Sequence, residues 1–105
     1  MDDVALVSFL SLIRRANLVA FNRHALETIK KKQTDVLFVF DYASEKKKIE
    51  AKNIAHANNA KVTMVNIDKS LVEEKIGKVD IVMFSILDRN ALKKVNEILE
   101  KEGQV

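Results

Sequence analysis

The residues of this chain best suited to chemistry are cations, and they are unevenly placed. Arg14, Arg15, Arg23, Lys30, Lys31 and Lys32 fall within the first 34 residues, where only Asp2, Asp3 and Glu27 oppose them. These six bases against three acids account for the whole formal charge of +3, because from Asp35 onward twelve bases meet twelve acids. An excess confined to one helix end, a short connection and the next helix is a natural place to meet a polyanion, since positive potential summed over a small area attracts phosphate from a distance. Arg14, Arg15, Arg23 and Lys30 to Lys32 could form a phosphate-contacting patch with Arg23 and His24 at its tip offering hydrogen bonds to base edges, or they could be a solvated charged face. Lys30 to Lys32 equally suit an ordinary basic last turn that complements a helix dipole.

Enzyme chemistry has little to stand on. There is no cysteine, so a zinc ribbon, a thioredoxin-type site and a disulfide framework are excluded. Gly77 and Gly103 are the only glycines, which leaves no Gly-rich phosphate loop, and His24 and His56 are not spaced as metal ligands. No Ser-His-Asp set is supported by order or context. The expectation is a non-catalytic protein without metal, cofactor or small-molecule substrate. Asp35, Asp41 and Asp88 lie at strand ends and bring to mind the acidic pocket of receiver domains, but those need an acidic pair after a first strand, and here the first element is a helix. Lys46 to Lys48, beside Glu45 and Glu50, read as a solvated face.

The elements that must position the cations alternate between helix and strand. Val4, Leu6, Val7, Leu10 and Ile13 recur at helical spacing over residues 3–16, with Asp2 and Asp3 placed to cap that helix. Leu18-Val19-Ala20 is long enough only for an edge strand. Asn22 then suits the cap of a second helix running to about Lys32, with Ala25, Leu26 and Ile29 inward. Val36 to Phe40 is apolar throughout, as a central strand covered on both faces should be. Ser44 caps a third helix that stops at Asn58-Asn59; Ile49, Ile54 and Ala57 are read as its inner face, and His56 as interacting with its C-terminus. Val62 to Ile67 is a strand, Asp68 caps a short helix ending at Gly77, Val79 to Ile86 is a buried strand, and Asp88 caps a last helix carrying Leu92, Val95 and Leu99. Strand order is left open by this pattern.

At 105 residues the chain is expected to form one domain, residues 1–105, able to bury roughly two-thirds of its unfolded surface. Its longest apolar run, Val36 to Phe40, is far short of the ~20 residues that span a bilayer, and the acidic Met1-Asp2-Asp3 start is unlike a signal peptide. A cytoplasmic protein without membrane contact is expected.

FLSLIRRANLVAF, LFVFDYASEKKK, LVEEKIGK and IVMFSILDRNALKKV, in that order, resemble the small ribosomal protein family written here as L-seven-Ae, which binds RNA kink-turns. The resemblance covers nearly the whole chain and is strongest to small bacterial members. Arg15-Ala16 matches an Arg-Ala pair, Tyr42-Ala43-Ser44 matches the Asp-Ala-Ser that opens the third helix, and Ile76-Gly77-Lys78 is a family tripeptide unchanged. The resemblance implies a three-layer α-β-α sandwich with a small mixed sheet. It further implies structured RNA as the partner, in the ribosome or as another kink-turn-like RNA. That RNA would lie against the start of the second helix, at Asn22, Arg23 and His24, and against the loop after the fourth, at Lys78.

The stretch that reads Gly-x-Asn-Glu-x-x-Lys in kink-turn binders is altered here. Phe21 stands for the Gly, Arg23 for the Asn, His24 for the Glu and Glu27 for the Lys. A further family Gly is Ser11, and a Gly-Lys before the first strand is shortened to Asn17, which tolerates a left-handed backbone. These changes support a second expectation, a protein-interaction module on the same fold that has lost kink-turn recognition. Phe21 discriminates: as an exposed aromatic in an apolar patch it favours a protein partner, and tucked beneath a basic rim it favours RNA. It could stack on an unpaired base, or act as a hydrophobic staple against a residue one turn into the second helix.

Overall fold

A computed structural model describes residues 3–101. Five helices alternate with four strands: α1 (Asp3–Arg15), β1 (Val19–Phe21), α2 (Arg23–Lys30), β2 (Val36–Phe40), α3 (Glu45–Ala57), β3 (Lys61–Val65), α4 (Lys69–Ile76), β4 (Met83–Ile86) and α5 (Arg89–Lys101). The strands form one mixed sheet in the order β1-β4-β2-β3. β2 and β3 are parallel, joined by the α3 crossover, while β4 runs antiparallel to both β1 and β2. The last strand in sequence thus occupies the interior of the sheet, and β1 is an edge, as its length predicts.

Period-two alternation sorts the strand residues onto two faces. Phe38 and Phe40 of β2, Phe84 and Ile86 of β4 and Val65 of β3 join Leu6, Leu10, Val72, Ile76, Val95 and Leu99 in a core beneath α1, α4 and α5. Leu37, Val39 and Met83 point the other way and pack with Ala25, Leu26, Ile29, Ala51 and Ala55 or their neighbours beneath α2 and α3. Helices on both faces of one sheet make the three-layer α-β-α sandwich. Across the β2–β4 pairing Phe38 and Phe84 stack with ring centroids 4.7 Å apart, a geometry that adds to their burial. The second core holds a buried polar pair, Thr28 Oγ1 and Ser85 Oγ at 2.7 Å, and Thr28 also donates to the Ala25 carbonyl. That pair fixes α2 against β4.

The ends of the elements follow local chemistry. Ser44 accepts from Lys47 N, Asp68 from Ser70 N and Asp88 from Ala91 N, so three of the expected caps form. Gly77 ends α4 in the left-handed conformation, φ 77°, and Asn17 takes φ 59° in the α1–β1 turn. The cap expected of Asp2 lies outside the described residues, as does the side chain of Asp3.

Three expectations need correction. The strand predicted from Val79 covers only Met83–Ile86; residues 79–82 form a loop whose backbone bonds largely to side chains, with the Val82 carbonyl accepting from Phe40 N at the end of β2. Ile49, expected inward on α3, is 56% exposed, and Ala57 is exposed too. The buried stripe is Ala51 and Ala55, with Ile54 partly covered, because small residues let α3 lie close against α2. Finally, α2 ends at Lys30 and not at Lys32, which has φ 58° and has left the helix.

Candidate nucleic-acid interface

The start of α2 is built around an asparagine in an unusual conformation. Asn22 stands at the N-cap with φ 52° and ψ −121°, in the half of backbone space natural to glycine, and its side chain does not cap the helix as expected. Its amide bonds instead to the loop 60 residues away: Nδ2 donates to the Asp80 carbonyl and Oδ1 accepts from Val82 N, each at 2.9 Å. Its own backbone N donates to the Met83 carbonyl at 3.0 Å. Both functional atoms of Asn22 are therefore spent on holding the loop of residues 77–82 against α2. The N–H groups of Arg23 and His24 open the helix with no cap from the Asn22 side chain, and such groups carry the positive end of the helix dipole.

The end of α4 and the loop that follows it are held by four further side chains. Arg14 Nη1 donates to the Ile76 carbonyl at 2.7 Å, tying the end of α1 to the end of α4. Glu73 Oε2 accepts from Asp80 N at 2.9 Å, and Lys69 lies 3.8 Å from the Asp80 carboxylate in an exposed pair that adds little by itself. The Tyr42 hydroxyl donates to the Ile81 carbonyl. Burial, and then the nearby Glu73 carboxylate, push the Tyr42 phenol well above the ordinary tyrosine range, so it remains a neutral donor. Asp80 itself takes φ 59°. A loop held by Asn22, Tyr42, Glu73 and Lys69, and following a helix end tied by Arg14, presents its outward residues, Lys78 and Val79, in a set position.

Phe21 lies beneath this junction. Its ring is 6% exposed and belongs to the core under α1, α4 and α5, whereas Leu26, one turn into α2, belongs to the other core. The hydrophobic staple therefore does not form, because β1 directs Phe21 to the opposite side of the sheet from α2's inner face. Lys78 Nζ sits 5.7 Å from the ring centroid, a cation–π arrangement that covers the aromatic with charge.

Of the cations singled out in sequence, Arg23 and His24 are exposed on the first turn of α2, and Lys78 stands on the adjoining loop. Arg15 is exposed at the end of α1, and Arg14 approaches the same loop but has part of its guanidinium engaged. Lys30 lies about 10 Å along α2 from Arg23 at the helical rise per residue, and the two share the rim of a groove of about 550 Å³ between α2, α3 and residues 80–82. Leu26, Ile54, Val82 and Met83 floor this groove, and its rim alternates Arg23, Lys30 and Lys47 with Glu27, Glu50 and Asp80. Lys31 is exposed beyond the helix end, and Lys32 Nζ donates to the Asn58 carbonyl at 3.3 Å, so it serves the α3 terminus.

The sequence does not single out Asp80, Glu73 or Lys69, and Tyr42 enters only in the match at the start of the third helix. The one local signal was Asp80 inside an otherwise apolar run, a turn-forming residue that interrupts a strand pattern.

No protein-family model matches the chain, and no curated protein matches it in sequence. Solved structures do match. A protein with unknown function from Bacillus halodurans C superposes with a TM-score of 0.75 at 17% identity, over 90% of this chain and 96% of that one. A 15.5 kD RNA-binding protein from Giardia lamblia superposes with a TM-score of 0.66 at 16% identity, over 97% of this chain and 88% of its own. At these identities the shared property is the fold, and it is the α-β-α sandwich that the resemblance to the L-seven-Ae family implies.

Proposed function

We propose that this chain is a non-catalytic protein that binds structured RNA where α2 begins beside the loop of residues 77–82. The observation that carries this reading is the junction itself: an uncapped helix start with Arg23 and His24 exposed upon it, held at a fixed distance from Lys78 by the Asn22 side chain. Backbone N–H groups and the dipole end attract phosphate, and the two side chains reach toward base edges. Asn22 acts by positioning the loop. Arg15 and Arg14 flank the site from α1, and Lys30 and Lys31 extend it along α2. The likeness of fold to an RNA-binding protein of Giardia lamblia supports the reading.

The changed recognition stretch alters how an RNA would be read. Where a kink-turn binder presents an amide and a carboxylate, this chain presents a guanidinium and an imidazole. Arg donates in a fork suited to guanine O6 and N7, while a carboxylate accepts from amino groups. The proposed partner, a kink-turn-like RNA of the ribosome or of another cytoplasmic ribonucleoprotein, would thus be held more through phosphate and guanine acceptors than through base amino groups. The alternative of a protein-interaction module called for an exposed Phe21; the buried ring beneath Lys78 favours RNA.

Titrating the protein against a kink-turn RNA and an equally long plain duplex, at low and near-physiological salt, tests the proposal. The kink-turn is expected to bind more tightly at both, with affinity falling as salt rises because phosphate contacts release counterions. A flat salt response, or no binding to either RNA, overturns it.

A further inference from the structure

On the opposite side of the sheet from α2, α1 and α5 enclose a second groove, of about 510 Å³. Ala5, Phe9 and Leu12 of α1 and Ile98 of α5 line it, with Lys94 and Lys101 on its rim. The α1 residues follow an i, i+4, i+7 pattern, as do 94, 98 and 101 on α5, so the groove runs between two helical stripes. Leu12 is 61% exposed, and Val4, two turns before it on the same helix, is 43% exposed.

We infer that this groove is a docking site for an acidic amphipathic helix of a partner protein. Apolar anchors at helical spacing would enter between α1 and α5, the mode in which a helix lies in a groove, and Asp or Glu beside those anchors would meet Lys94 and Lys101. Charge decides the occupant. No acid lines the groove, and among the described residues neither lysine has a carboxylate within 4.0 Å. A second copy of this chain is disfavoured, because the α1 face that would enter, Val4, Ser8, Leu12 and Arg15, carries a cation and no acid and would bring like charges together. The groove lies across the sheet from the start of α2, so its occupation leaves Arg23, His24 and Lys78 open, and the inference does not depend on RNA binding.

The test uses the full chain labelled with ¹⁵N and two synthetic helical peptides, both with leucines at i, i+4 and i+7, one flanked by Glu and the other by Lys. The Glu peptide is expected to shift the amide signals of Phe9, Leu12, Lys94 and Ile98 while leaving those of Arg23 and His24 in place. Leu12→Glu and Lys94→Glu combined with Lys101→Glu should each weaken it by about tenfold, the order expected when one central anchor or a charge pair is lost. The charge-reversed variant should bind the Lys peptide instead. All three substituted side chains are exposed, and an unchanged thermal midpoint shows that the fold is kept. No shifts at excess peptide, equal binding of both peptides, shifts confined to α2, or shifts of the groove signals with protein concentration alone, which would place a second copy there, each overturns the inference.

Discussion

Both ends of α2 carry cations, Arg23 at its start and Lys30 to Lys32 at its finish, and they are built differently. At its C-terminal end the backbone closes upon itself: Lys31 N donates to the Glu27 carbonyl, Gln33 N to the Thr28 carbonyl, and Lys32 reaches the Asn58 carbonyl of α3. At its N-terminal end the side chain at the cap position is turned away to a distant loop, and the first N–H groups receive no side-chain cap from it. Cations in the sequence therefore mark both an end that is satisfied within the chain and an end whose first N–H groups have no side-chain cap. Charge alone does not distinguish them; the destination of the Asn22 amide does.

Asn22→Ala should break the difference most strongly. It removes two hydrogen bonds that fix residues 80–82 and leaves a Cβ residue with positive φ, for an expected loss of about 2–4 kcal/mol in urea unfolding. Asn22→Gly loses the same bonds without the conformational strain and should be about 1 kcal/mol more stable than the alanine variant. Equal stability of the two would show that the backbone at this position is not constrained as described.

The middle of the helix offers a smaller perturbation. Thr28→Val strands the buried Ser85 hydroxyl and should lower stability by about 1–3 kcal/mol, while Thr28→Val with Ser85→Ala should lower it by less than the two single losses combined. Additive losses would mean that the pair is not coupled across the α2–β4 contact.

The loop facing α2 has a signature in alkali. Folding raises the pKa of Tyr42, so its contribution to stability is complete below the ordinary tyrosine value of about 10 and is lost as pH rises beyond it. Stability measured across that range should fall less steeply in Tyr42→Phe than in the parent chain; parallel curves would contradict the burial of the phenol. At the other end of α2, Lys32→Ala removes one exposed contact and should change stability by less than about 0.5 kcal/mol.

Much of this architecture was legible in the residues. Ser44, Asp68, Asp88 and Gly77 mark helix ends through bonds made within a few residues, and the unbroken run Val36–Phe40 marks the strand covered on both faces. What was not legible depends on partners distant in sequence. Asn22 reads as a cap until residues 80–82, far down the chain, claim its amide. Val79-Asp80-Ile81-Val82 reads as strand because three of its four residues are β-prone, yet most of its bonded backbone groups go to the side chains of Asn22, Glu73 and Tyr42, and only the Val82 carbonyl meets a strand, at Phe40 N. Phe21 reads as a staple by position, but the pleat of β1 sends it to the other core. Ile49 misled because one apolar residue on α3 falls outside a stripe of alanines.

The central claim, that the N-terminal end of α2 and not its lysine-rich C-terminal end meets the RNA, is tested most directly by two double variants. Arg23→Ala with His24→Ala should weaken binding of a kink-turn RNA by about tenfold or more at near-physiological salt with the thermal midpoint unchanged, whereas Lys30→Ala with Lys31→Ala should weaken it by no more than about threefold. The reverse order of effects would contradict the account and move the contact to the helix's other end.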